Sequence, residues 1–155
     1  MTNDDYSLRP ATVADAPALT AIAHAAKRHW GYPETWIRRW SGALTLTPAY
    51  IGQHPVFIAR EGETIRGFHA VVLKGGDAQL DHLWVLPAAM ARGIGRALFE
   101  HAESHARKNG ATRLWVESDP HAESFYRHLG MTVFDQTPAP MDGQPRFLPL
   151  LEKVL

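Results

Sequence analysis

The stretch Leu83-Trp84-Val85-Leu86-Pro87-Ala88-Ala89-Met90-Ala91-Arg92-Gly93-Ile94-Gly95-Arg96-Ala97-Leu98 carries the strongest chemical signal in the chain. An apolar run that reads as a strand passes through a loop to two glycines spaced by one residue, and these open a helix. Glycines at such a junction let backbone N–H groups approach a ligand with no Cβ in the way. The first N–H groups of a helix have no intrahelical acceptor and sit at the positive end of its dipole. Together they make an anion seat, flanked here by Arg92 and Arg96, and a pyrophosphate suits it. The same glycines also suit a tight loop and close helix–sheet packing, so the pair by itself leaves both uses open.

A dinucleotide-binding unit of nicotinamide or flavin oxidoreductases would use such a loop differently. It places G-x-G-x-x-G directly after the strand, whereas Leu98 stands at the third glycine position and the loop from Pro87 to Arg92 is long for that turn. Glu117, ending the next strand, falls where that unit has its ribose-binding acid. Among the nine histidines, His101 and His105 lie one helical turn apart, as zinc ligands can. The acid between them is Glu103, not the residue directly after the first histidine, so it points away from a metal-bound water. No metal is expected.

Composition narrows the remaining classes. The chain has 155 residues, 45% hydrophobic, with 16 basic and 16 acidic side chains and a net charge of +0. That length supports one domain, residues 1–155. The balanced charge gives no electrostatic footprint for nucleic acid or an anionic membrane. With Cys 0 there is no disulfide framework and no thiolate nucleophile. The opening MTNDDYSLRP lacks an apolar leader, and no run approaches the roughly 18 apolar residues of a membrane span. A cytoplasmic location is expected.

The elements that must position the seat follow from periodicity and turn residues. Tyr6–Arg9 reads as a strand, and Thr12-x-x-Asp15 as a capping box before a helix carrying Leu19, Ile22, Ala23 and Ala26. Gly31 ends that helix, and a short helix is expected around Trp36–Trp40, followed by a loop or a further turn of helix. Val56–Arg60 and Thr64–Leu73 form a hairpin about Glu61-Gly62-Glu63, and Gln79–Leu86 is a third run. Gly95–Asn109 is a helix with Gly95, Leu98, Phe99, Ala102 and Ala106 on its apolar arc. Thr112–Glu117 is a strand, Ala122–Leu129 a helix closed by Gly130, and Met131–Gln136 and Phe147–Leu155 are strands. This order implies an α/β (α+β) fold whose mixed sheet is antiparallel early and parallel in the middle.

Arg92-Gly93-Ile94-Gly95-Arg96-Ala97 after Leu83-x-Val85-x-Pro87 resembles the acetyl-CoA-binding motif of the GCN5-related N-acetyltransferases (GNAT). Ala122-x-x-Phe125-Tyr126-x-x-Leu129-Gly130-Met131 resembles that family's second signature, in the right order and separation. Two departures stand out: Met90 where the family usually has Gln or Arg, and His121 where an Asn is often found. The resemblance implies a GNAT fold with six to seven strands and about four helices. It also implies acetyl-CoA as co-substrate, a primary amine acceptor on a small molecule or else on a protein terminus or lysine, and a possible homodimer. His-Trp-Gly-Tyr at His29–Tyr32, Ser118–Ala122 and Arg146–Leu151 further resemble a bacterial subgroup within that superfamily.

Residue by residue, the resemblance implies that Leu83 and Val85 pair with the pantetheine amides as an added strand, with Trp84, Ser118, His121 and Phe125 beside the cofactor. The N–H groups across Arg92, Gly93, Ile94, Gly95, Arg96 and Ala97 hold the pyrophosphate. Tyr126 protonates the departing thiolate, Asp81 or His82 supplies a base, and Trp30, Tyr32 and Arg146 meet the acceptor. The chemistry is consistent: a strand N–H polarises the thioester carbonyl and a phenol with a pKa of about 10 serves the thiolate. Without cysteine there is no Cys-acylated intermediate, which leaves direct attack of the amine in a ternary complex. Aromatic walls suit an apolar acceptor or an ammonium group, and an arginine suits a carboxylate. A non-catalytic acyl-CoA-binding domain would share these cofactor features.

Overall fold

The computed structural model describes residues 6–155. The first five residues, part of the opening read above as carrying no leader, lie outside them. Seven strands form one mixed sheet in the order β1-β2-β3-β4-β5-β7-β6. They are β1 (Tyr6–Pro10), β2 (Val56–Glu61), β3 (Thr64–Lys74), β4 (Asp77–Val85), β5 (Arg113–Glu117), β6 (Thr132–Pro138) and β7 (Phe147–Val154). β4 and β5 run parallel over Asp77–Gln79 and Arg113–Trp115, while β1–β2, β2–β3, β5–β7 and β6–β7 are antiparallel. A parallel pair needs a crossover, and the helix α4 (Ile94–Lys108) supplies it.

The remaining helices are α1 (Ala16–Arg28), α2 (Glu34–Arg39), α3 (Pro48–Gln53) and α5 (Glu123–His128). Among the described residues there are five α-helices, where about four are expected. The extra one comes from the segment after Trp40, where a loop or a further helical turn was expected. Thr47 accepts a hydrogen bond from the Tyr50 N–H at 3.0 Å, which caps α3 at its Pro48 start. The capping box precedes a single 3-10 turn, Val13–Asp15, before α1 begins, with the Thr12 N–H donating to Asp15 Oδ2 at 2.8 Å.

The chain divides into two compact units. One comprises residues up to Val71 together with His82–Ala102; the other comprises Val72–Asp81 with Glu103–Leu155. In the first unit α1 buries Leu19, Ile22, Ala23 and Ala26, the apolar set its spacing marks out, and the first three share a core with Ile37, Ile58 and Phe68. A smaller cluster of Ala59, Ala89, Ile94 and Leu98 seats the start of α4, with Leu83 and Val85 packed against it. In the second unit Leu114, Val116, Met131 and Leu151 are buried. Arg113 there bridges Asp77 and Glu152 at 3.2 and 2.7 Å.

Candidate active site

Alternation along β4 sets two faces with different work. Leu83 and Val85 belong to the cluster that holds α4, whereas Trp84 packs against the core containing α1 and α2. β4 ends at Val85, a 3-10 turn covers Pro87–Ala89, and the chain reaches α4 through Ala91 at φ 63 and Gly93 at φ 82. Left-handed backbone suits Gly93 and strains Ala91, which carries a Cβ. The helical ladder starts where Ala97 N–H donates to Gly93 O at 3.0 Å. The N–H groups of Ile94, Gly95 and Arg96 therefore precede it, at the positive end of a helix of 15 residues. This donor set fits a diphosphate.

The two flanking arginines are where the spacing puts them, and each is met by a glutamate. Arg92 donates to both carboxylate oxygens of Glu61, at 2.8 and 3.3 Å, and Arg96 Nε lies 3.3 Å from Glu100 Oε2. Glu61 is also bound by Arg66 Nε at 2.9 Å. Arg92, then Arg66, hold the Glu61 carboxyl below the usual carboxylate range. Anion binding at this junction would accordingly rest first on backbone N–H groups. Sequence reasoning passed over Gly67, inside β3: a Cβ there would lie 2.7 Å from Trp84 O, 3.1 Å from Leu98 Cδ1 and 3.3 Å from Val85 Cα. A glycine in a strand is the signal for such a close approach.

The other candidates fall as follows. Asp81 is exposed and His82 half-buried. Trp84 Nε1–H donates to His82 Nδ1 at 3.0 Å, and the Tyr50 ring stands edge-on to the imidazole at 5.6 Å. That bond keeps the His82 proton on Nε2 and engages the lone pair a base would use. In the second unit Ser118 is buried, with its hydroxyl donating to Asp119 O at 2.6 Å and its N–H to Pro149 O at 2.9 Å. Asp119 Oδ1 accepts from the His121 N–H at 2.8 Å and lies 2.9 Å from His121 Nδ1, on an exposed turn. Phe125 meets Tyr126 edge-on at 5.2 Å. Tyr126 is 5% exposed; burial, with the Asp119 charge adding, pushes its phenol well above the ordinary value.

On the acceptor side, Tyr32 stacks on Trp36 at 6.0 Å and meets Trp40 edge-on at 5.0 Å. Trp36 is buried, as its i, i+4 spacing with Trp40 suggests. Lys27 Nζ lies 5.0 Å from the Tyr32 ring and 4.4 Å from Trp40. Trp30 is half-buried, edge-on to His29 at 5.2 Å. Arg146 reaches back to Ala139 O at 3.2 Å across the β6–β7 connection.

The histidine that His101 meets is not His105, one turn on. It is His69 from β3, fully buried, with Nε2 at 3.0 Å from His101 Nδ1 and Phe57 beside both rings. The nearly continuous apolar run from Phe68 to Leu73, which marks a strand buried on both faces, could have placed His69 inside. Burial holds His105 below the ordinary histidine value. Among the described residues there is no group of three or more His, Asp or Glu that could hold a metal.

Comparison with known proteins establishes the family and the fold. The sequence profile of the acetyltransferase (GNAT) family matches residues 18–131, and the chain belongs to that family. It is by that membership an N-acetyltransferase, and the mixed seven-stranded sheet is the GNAT fold. A GCN5-related N-acetyltransferase from Rhodopseudomonas palustris (aminotransferase, class II) superposes with TM-score 0.80 at 26% identity, covering 96% of this chain and 95% of that one. PaiA N-acetyltransferase from Thermoplasma acidophilum, in complex with coenzyme A, gives TM-score 0.80 at 21% identity, over 97% and 99%. The ribosomal-protein-S18-alanine N-acetyltransferase from Escherichia coli gives 0.72 at 20%, over 95% and 92%. No curated protein matches the chain in sequence.

Proposed function

We propose that this protein, acting as one transferase domain, moves the acetyl group of acetyl-CoA to the primary amine of a small molecule by direct attack in a ternary complex. The observation that carries the reading is the left-handed Gly93 directly ahead of α4, followed by the N–H groups of Ile94, Gly95 and Arg96, which precede the helical ladder. A relative of the same fold holds coenzyme A, which supports the choice of donor. Acetyl-CoA supplies an activated thioester. The main chain of Leu83 and Val85 aligns the pantetheine arm, with Trp84 beside it, and the N–H groups across Arg92–Ala97 bind the diphosphate. Ser118, His121 and Phe125 flank the arm from the second motif.

Tyr126 holds the proton that the departing thiolate takes. Its buried phenol stays neutral at working pH, which supports the role. Its raised value also makes it a weak acid, so the gain from it is modest. For the amine's proton, Asp81 or water is a better acceptor than His82, whose lone pair serves Trp84. The compact packing of Tyr32 with Trp36 and Trp40 supports a small acceptor bordered by Trp30 and Tyr32, with Arg146 meeting a carboxylate on it. No described helix is long and apolar enough to cross a membrane.

Calorimetry with CoA, acetyl-CoA and NAD tests the donor: heat is expected from the CoA compounds only, and tighter NAD binding overturns the reading. Thiol release is then followed over a panel of small amines and an alanine-initiated peptide. Turnover confined to the peptide would replace the acceptor class, and silence on every amine despite tight acetyl-CoA binding would leave a binding domain.

A further inference from the structure

The loop between β4 and α4 is stapled at both ends to the β2–β3 hairpin. At its start, Leu86 N–H donates to Arg66 O at 2.8 Å. At its end, Arg92 closes its two-point pair with Glu61. The hairpin is shaped for this. Ala59 pairs with Gly67 and Arg60 with Ile65, so Arg66 is the extra residue of a bulge, and a bulge re-aims the side chain it carries. The re-aimed Arg66 lies 2.9 Å from Glu61 and steadies the carboxylate that Arg92 grips. All three side chains are about one quarter to one third exposed, 24% for Glu61, 29% for Arg66 and 34% for Arg92. Ala91, left-handed although it carries a Cβ, lies between the two staples, and the left-handed Gly93 follows directly after the second. Strained backbone of this kind persists only where its surroundings hold it.

We propose that Glu61 is a positioning residue of the cofactor seat, acting through Arg92 to hold the Leu86–Gly93 loop in the conformation that aims the N–H groups of α4 at the diphosphate. The proposal rests on the reading of that seat as the coenzyme A site. Electrostatics alone argues the other way: a carboxylate next to an anion site opposes the anion, so removing its charge should tighten binding. Glu61 gives the loop its shape at that electrostatic cost.

The two accounts differ in sign. Glu61→Gln should weaken CoA binding about ten-fold and raise KM for acetyl-CoA in proportion, with kcat within two-fold. Glu61→Asp keeps the charge and shortens the reach by one methylene, so it should weaken binding about three-fold, where charge alone expects no change. In Arg92→Gln protein, adding Glu61→Gln should change CoA affinity by less than two-fold. In ligand-free protein, amide exchange at Met90–Gly93 should run about ten-fold faster with Glu61→Gln. Tighter or equal CoA binding by the Gln variant with an unchanged Asp variant, or a full effect surviving without Arg92, overturns the proposal. Wild-type protein that binds no CoA overturns the seat itself, and this inference with it.

Discussion

The two sides of the first unit, the loop Leu86–Gly93 and the aromatic group of Tyr32, Trp36 and Trp40, solve opposite problems. The loop presents backbone, and its shape is set by left-handed residues and by the hairpin that grips it. The aromatic group presents side chains that also belong to the core, with Lys27 already at the ring faces an ammonium ligand would seek. A site made of main chain can be specified by two glycines. One made of packed rings is specified only by how the rings pack.

The largest effect should come from breaking the backbone side. Gly93→Asp puts a Cβ on left-handed backbone and a negative charge at the seat, and CoA affinity measured by calorimetry should fall more than a hundred-fold. Unchanged affinity would remove the contrast altogether. Next comes the close approach of β3 to β4: Gly67→Ala drives a methyl against Trp84 O, and urea denaturation should show a loss of about 1–3 kcal/mol. Tyr126→Phe tests the second motif. Turnover should fall by about ten-fold or less while CoA affinity holds, because a phenol raised above its usual value is a weaker acid than the thiol it serves.

That same phenol gives a pH prediction. Its folded pKa lies above its unfolded value of about 10, so the stability it contributes is complete below that pH and is lost as pH rises through the folded value. In an absorbance titration Tyr126 should ionise only well above the ordinary phenol value, together with unfolding. The smallest effect belongs to the aromatic side: Lys27→Met should cost about 0.5–1 kcal/mol, seen by denaturation, with CoA affinity untouched. A change in CoA affinity there would merge the two sides that the comparison separates.

How much of this was legible beforehand follows the same division. Gly93, Gly95 and the apolar arc of α4 are local patterns, and periodicity placed the helix within one residue of Ile94–Lys108. The strands likewise lie within two residues of their expected ends, because alternation and turn residues are local. The α3 segment reads equally as a loop or a helical turn, because its formation hangs on Thr47 and Pro48 rather than on a periodic face. The grip of Glu61 on Arg92 joins residues 31 apart in sequence, and that of His69 on His101 residues 32 apart, so no local spacing announces either. His82 shows the limit most plainly. Its residue type suggests a base, and only the position of the Trp84 indole reveals that its lone pair is engaged.

Amide shifts during titration with coenzyme A put the seat to the most direct trial. The N–H signals from Gly93 to Ala97 should move furthest, with those of Leu83 and Val85 following, and an equal dose of NAD should leave them in place. Shifts centred anywhere else in the chain, or a response to NAD at Gly93, would contradict the account.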